Sequence, residues 1–195
     1  MANTSATGGE LLPDSVSMPV SDLDLDLVLQ PVVSGITGLA GEMVRPRWQP
    51  TQPRMPEIGT DWCAIGVIDI QPDDNPAVMH DPSGEGHDDL IRHETLTVLA
   101  SFYGPHAARL AGVLRDGLYV AQNREPLDSA GIGLVSTDSI RMVPALVNEQ
   151  WQRRADISIT LRRIVRRAYP VLNVLSASGE LDADNVSVSF AVNAP

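Results

Sequence analysis

The sequence predicts an α+β domain: an antiparallel or mixed sheet of four to five strands, helices packed on one face, a long acidic hairpin and a proline-rich arm. Three observations carry that prediction. Residues 62–70, 90–103 and 151–165 alternate in polarity or read as apolar strand, with the period of two that a pleated chain imposes. Residues 23–40 and 105–123 instead space their apolar side chains three and four apart, the period of an amphipathic helix. Of 195 residues 43% are hydrophobic and only 4% aromatic, so the core is built mostly from Leu, Val, Ile and Ala. No run approaches the ~18 apolar residues of a membrane span. The expected organisation is a disordered tail over 1–20, a single α+β domain over 21–176, and a C-terminal strand or adherent tail over 177–195.

Taken in order, residues 1–20 are Ser, Thr, Gly, Pro and acid without periodicity, a composition that does not fold alone. Within 23–40, Leu29, Val32, Val33, Ile36 and Leu39 mark a helix. Pro31 suits a first turn better than an interior, which favours a helix over 30–40 ended by Gly41. Residues 41–60 form the arm: Pro46, Pro50, Pro53 and Pro56 remove donors and favour extended backbone, displaying Arg45, Arg47 and Trp48 along it. Such an arm is either a surface loop tied down by Trp48 or a reach toward a neighbouring subunit. The strand over 62–70 is apolar on both faces and so needs cover on both, with Gly66 marking a bulge or a close backbone approach. Residues 71–89 read as an acidic loop, closed by an antiparallel partner over 90–103.

Gly104 and Pro105 stop that strand and open a helix over 105–123, with Ala107, Leu110, Ala111, Leu114 and Leu118 inward. Residues 124–138 read as a linker. Ile140, Met142, Pro144 and Leu146 suggest a short or edge strand, since Pro144 donates nothing to a ladder. Over 151–165, Ala155, Ile157, Ile159 and Leu161 alternate with Arg154, Asp156, Ser158 and Thr160, a strand with one wetted face. Residues 186–190 supply a last strand or a tail laid on the domain.

Charge narrows the function. Fourteen basic residues, all Arg, stand against twenty-five acidic ones, for a formal net charge of −11. Such a chain is a poor non-specific nucleic-acid binder, because each phosphate contact needs a cation. Without Lys there is no Schiff base and no Walker-type lysine. The sign is segregated: nine acids lie over 61–94, while Arg153, Arg154, Arg162, Arg163, Arg166 and Arg167 face a single Asp156 over 151–169. These runs either neutralise each other within one subunit or pair subunits acidic face to basic face. Cys63 is either a buried thiol or a reactive one, and alone it supports no disulfide. His80, His87 and His93 with Asp81, Asp88 and Asp89 offer metal-ligand types, so a metal-dependent hydrolase using 80–93 is the enzyme alternative; intervals of seven and six residues fit no helical or strand ligand pair cleanly. No nucleophile elbow or phosphate loop is present. No catalytic, cofactor-binding or metal residue is assigned, and no cofactor is expected.

The combination Ile36-Thr37-Gly38-Leu39, Arg45-Pro46-Arg47-Trp48-Gln49-Pro50, Pro53 and Asp61-Trp62-Cys63-Ala64 resembles the neck or tail-terminator proteins of contractile-tailed bacteriophages. Tyr103-Gly104-Pro105 and Trp151-Gln152-Arg153-Arg154-Ala155-Asp156 extend the resemblance over roughly residues 28–175, and the proline-arginine-tryptophan run is its most specific element. The resemblance implies a non-enzymatic virion protein of the tail and neck, assembled in the host bacterial cytoplasm, with a sheet flanked by helices. It implies a homohexameric ring that caps the tail tube, ends tube polymerisation and offers a surface to the head-side connector, stopper or adaptor. The terminal sheath ring is a further expected neighbour, DNA passes through the channel without specific binding, and no membrane is involved. The alternative within the virion is a head-completion or stopper protein. On this reading Arg45, Arg47, Trp48, Arg153, Arg154, Arg162, Arg163, Arg166 and Arg167 are expected to contact subunits or partners. Asp69, Asp73, Asp74, Asp81, Asp88 and Asp89 are expected on the lumen or rim, where they repel phosphate.

Overall fold

The computed structural model describes residues 3–14, 20–51, 53–147, 149–183 and 186–193. Residues 1, 2 and 15–19 of the expected tail, residue 52 of the arm, and residues 184, 185, 194 and 195 of the expected C-terminal segment lie outside the described residues. The chain divides into a larger unit, Pro19–Pro76 with Arg92–Val165, and a smaller one, Met1–Met18 with Ala77–Ile91 and Arg166–Pro195. The helices are α1 (Asp22–Thr37), α2 (Ala107–Gly117) and α3 (Ala121–Ser129). The strands are β1 (Val44–Pro46), β2 (Trp62–Pro72), β3 (Ala77–Asp81), β4 (His87–Tyr103), β5 (Ile132–Thr137) and β6 (Arg141–Met142). They continue with β7 (Ala145–Val147), β8 (Gln150–Gln152), β9 (Arg154–Tyr169), β10 (Ser176–Ala183) and β11 (Val186–Asn193).

In the larger unit the strands follow the path β1-β2-β4-β9-β5, with short β6 also on β9. β1 runs parallel to β2, from Val44 opposite Cys63 to Pro46 opposite Ile65. β2 and β4 are antiparallel from Trp62 opposite Tyr103 to Pro72 opposite Glu94, with a bulge between Val67 and Asp69. The sheet is therefore mixed, and all three helices cover one face of it. Leu25, Leu29, Val32 and Val33 of α1 and Leu110, Ala111 and Leu114 of α2 join Cys63, Ile65, Leu96, Val98, Ala100, Phe102, Ile157 and Leu161 in one buried cluster. Only one aromatic side chain, Phe102, belongs to it.

Several elements differ from the sequence reading, each for a local reason. Helix α1 starts at Asp22 and carries Pro31 in its interior rather than its first turn. The missing donor is tolerated because the buried stripe Leu25, Leu29, Val32, Val33 holds the helix on both sides of it. Its end is Gly38, not Gly41: Gly38 takes φ +74° and donates its N–H to the Ser34 carbonyl at 2.9 Å. The helix expected over 105–123 stops at Gly117 and restarts as α3. A Cβ at Gly117 would lie 2.4 Å from Ile36 Cγ2, so the close approach of α1 fixes glycine there. Asn123 and Arg124 then donate to the Gly117 and Leu118 carbonyls at 2.9 and 2.8 Å, satisfying acceptors left by the break. The remainder of α3 occupies part of what reads as a linker; Leu127 is its one buried side chain, so no periodicity betrays it.

The arm is not wholly irregular, since 44–46 is strand β1; Pro46 fits because β1 is a sheet edge. Pro144 splits the expected strand into β6 and β7, which belong to different sheets. In the smaller unit the acidic loop contains a strand: β3 pairs β4 from Ala77 opposite Ile91 to Asp81 opposite His87. β10 and β11 pair only with each other along the described chain. Residues 3–14 hydrogen-bond to the chain beyond the basic run, Ser5 N–H to the Pro170 carbonyl at 3.1 Å and Asp14 N–H to the Ala168 carbonyl at 2.9 Å.

β4 and β9 are neighbours, and they bury an ion pair. Arg163 donates through Nε and NH2 to Glu94 Oε2 at 2.9 and 2.8 Å, and through NH1 to the Val20 carbonyl. Both side chains are buried. Removing one member leaves a desolvated charge, a loss of about 3–5 kcal/mol. Glu94→Ala is expected to lower the urea midpoint by an equivalent amount, whereas the paired Glu94→Leu, Arg163→Met chain recovers most of it. Equal unfolding midpoints for Glu94→Ala and the wild type would show that the pair carries no stability.

Candidate functional site

The sheet face away from the helices is defined by register. Cys63, Ile65, Ala100 and Phe102 point to the helices, so Trp62, Ala64, Ser101 and Tyr103 point away. Trp62 and Tyr103, directly opposite each other, stack at 4.2 Å with planes 8° apart. Arg45 lies 5.8 Å from the Trp62 ring and Arg154 5.5 Å from the Tyr103 ring, so a cation closes each end of the stack. Arg154 is held in turn by two 2.7 Å hydrogen bonds to Asp156.

The proline-rich segment covers this face. Arg47 donates its backbone N–H to the Ile65 carbonyl at 2.7 Å, and its guanidinium crosses β2 to reach Ser101 Oγ at 2.7 Å. Gly66 makes room for it: a Cβ there would sit 3.0 Å from Arg47 Cβ. The expected close approach at Gly66 is thus real, and the bulge lies beyond it, between Val67 and Asp69. Arg47 is turned into the protein rather than displayed. Arg45 is tied as well, to the Glu42 and Arg54 carbonyls at 3.1 and 2.8 Å. Cys63 lies beneath, where burial pushes its thiol well above the ordinary value, so it is a core side chain and not a nucleophile.

Trp48 alone of the three arm residues is displayed. It is 65% exposed and fixed by an Nε1–H bond to the Val67 carbonyl at 3.4 Å. It stands between two grooves. The first, of about 610 Å³, is lined by Arg45, Pro50, Pro53, Met55, Trp62 and Tyr103. The second, of about 510 Å³, is lined by Leu23, Asp26, Ile68, Asp69 and Ile70. Burial, and then the nearby Asp22, hold the Asp26 carboxyl above its usual range.

The charged runs meet largely within the chain. Arg162 pairs with Asp73 at 2.8 Å, Arg163 with Glu94, Arg154 with Asp156, and in the smaller unit Arg166 with Asp89 at 3.8 Å. Arg153 is exposed and Arg167 half-buried, and neither takes part in an ion pair among the described residues. Asp69 and Asp74 are exposed and likewise unpaired there. Hydrogen bonds from Ser83, its side chain first and its backbone N–H at 2.9 Å second, hold the Asp81 carboxyl below the usual range.

The histidines do not converge. His106 bonds Asp61 at 2.8 Å at the start of α2, and His93 contributes its carbonyl to the Asp73 N–H. Among the described residues no three His, Cys, Asp or Glu side chains gather as metal ligands. His80 has a different use, invisible in the sequence because one of its two partners is ninety-three residues away. Its Nδ1 meets Asp88 Oδ1 at 2.7 Å and its Nε2 meets Asn173 Oδ1 at 2.9 Å. The Asn173 amide is oriented by donating to the Pro82 and Gly84 carbonyls at 3.0 and 3.2 Å. Both partners of His80 are therefore acceptors, and only the imidazolium donates from both nitrogens. These hydrogen bonds, Asp88 first and Asn173 second, raise the pKa of His80, and the charges of Asp88 and Asp81 add to the effect. His87 lies beyond, 3.9 Å from Asp81 and 4.0 Å from Asp89. A raised folded-state value means that the clasp contributes fully below the ordinary pH 6.5 and is lost as pH rises through the raised value. Amide exchange at Asn173 is expected to accelerate across that rise in the wild type and to be pH-independent, after correction for intrinsic exchange, in His80→Gln. A flat wild-type profile would dismiss the clasp.

Two comparisons bear on what these surfaces serve. A family model described as phage neck terminator protein matches residues 24–184. No curated protein matches the sequence.

Proposed function

The chain belongs to the phage neck terminator protein family, and from that premise we propose that it closes into a hexameric ring on the end of the tail tube. It is a structural protein of the virion tail and neck, not an enzyme. The ring blocks addition of further tube subunits and presents its opposite side to the head-side connector, with the last sheath ring as a lateral neighbour. The family match over most of the chain carries this reading. The displayed Trp48 and Arg153 are the residues assigned to partner or subunit contacts; Arg45, Arg47 and Arg154 lie behind them, held by bonds within the chain, and Arg163 is buried with Glu94 on the helix side of the sheet. When purified tube protein polymerises with this chain present, tube lengths are expected to shorten and growing ends to carry a ring by negative stain. Tubes that keep growing with the chain in excess would defeat the proposal.

Asp73, Asp74, Asp81, Asp88 and Asp89 are proposed to face the path of the DNA, where negative charge keeps phosphate from sticking. Arg162 and Arg166 temper two of them, which leaves Asp74 and Asp81 to test the idea without breaking those ion pairs. Virions carrying Asp74→Asn with Asp81→Asn are expected to eject DNA more slowly, with the difference shrinking at high salt. Ejection at the wild-type rate would remove these acids from the channel.

A further inference from the structure

Two surfaces of the larger unit are exposed in a single copy, and they are complementary in charge. One is the second groove: Leu23, Ile68 and Ile70 are 54%, 46% and 47% exposed, Trp48 forms a wall, and Asp22 and Asp69 stand at the rim. Neither acid has a cation at ion-pair distance among the described residues. The other is the β7–β8 hairpin, where Leu146 and Trp151 lie directly opposite each other, 60% and 71% exposed. Arg141 and Arg153, both exposed and both outside any ion pair among the described residues, flank it.

A two-stranded hairpin gains little stability of its own. One that holds a tryptophan and a leucine out to water between two arginines has the composition of an interface anchor. In a chain of net charge −11, two exposed cations outside any ion pair among the described residues bracket Trp151 in the sequence. Their counterpart is a negative rim around an apolar floor. Ring closure requires two different patches on each copy, one for each neighbour, and a basic projection with an acid-rimmed recess provides such a pair.

We infer that the β7–β8 hairpin of one copy docks in the Trp48 groove of the next. Trp151 and Leu146 seat on Ile68 and Ile70, and Arg141 and Arg153 meet Asp22 and Asp69. Asp69 thereby belongs to the seam between copies rather than to the channel. The contact rests on the ring reading given above.

Sedimentation velocity on the full chain tests it. Arg141→Glu with Arg153→Glu is expected to weaken self-association at low salt roughly tenfold, and Asp22→Arg with Asp69→Arg to do the same. All four changes in one chain are expected to restore it, which a folding defect would not do. Reversals that leave association intact, or a fourfold chain that stays as weak as either pair, overturn the contact. Should the wild type sediment as a monomer, Ile68→Cys with Leu146→Cys decides the matter under oxidation, because the native Cys63 is buried: a ladder of covalent multimers supports the contact and monomer alone overturns it. Failure of the ring reading looks different. A chain that self-associates through this seam yet leaves tube growth untouched fails as a terminator, and one that stops tube growth with every reversal in place fails only at the seam.

Discussion

Arg47 crossing β2 to reach Ser101 is the contact on which the exposed surface depends. The helices cover one face of the sheet, and on the other face β2 still buries Trp62 and Ala64, which need cover of their own. The other face is closed by a segment too rich in proline to form a regular element, so its position has to come from side chains. One backbone bond to Ile65, one guanidinium bond to Ser101 and the space left by Gly66 fix Arg47. Pro46 before it and Trp48 after it then have little freedom. The stack of Trp62 on Tyr103 supplies the flat apolar bed on which the segment lies.

The larger elements were legible in the sequence because packing imposes a period on them. β2, β4 and β9 each bury one face against the same helices, so Cys63 and Ile65, Val98 and Ala100, and Ile157 and Ile159 repeat at two. Where an element buries a single side chain, no period exists to be read. α3, with Leu127 alone inward, is of that kind, and β3 buries no side chain at all. β1 is hidden for the opposite reason: its proline marks an edge, and an edge strand resembles a loop until its partner is known. At the candidate site the display of Trp48 was readable from the arm's composition. The inward turn of Arg47 was not, because it depends on the register of β1 against β2.

Charge illustrates the same gap between chain order and space. Acids over 61–94 and arginines over 153–167 look like two separate patches in the sequence. Adjacency of β4 and β9 converts part of that separation into a buried pair, Glu94 with Arg163, and Arg162 reaches Asp73 at the end of β2. A buried pair of this type is weak evidence for stability over an apolar alternative; what it does is join two neighbouring long strands through their side chains. What remains unpaired after these matches is a much smaller set than the sequence suggests. Those residues define where the molecule can recognise something else.

Trp48 is a wall shared by both grooves, and one hydrogen bond to the bulged end of β2 holds it. Any swing of that indole enlarges one recess at the expense of the other. Filling either recess therefore selects an indole position and alters the affinity of the other by the same factor, in whichever order the two are filled.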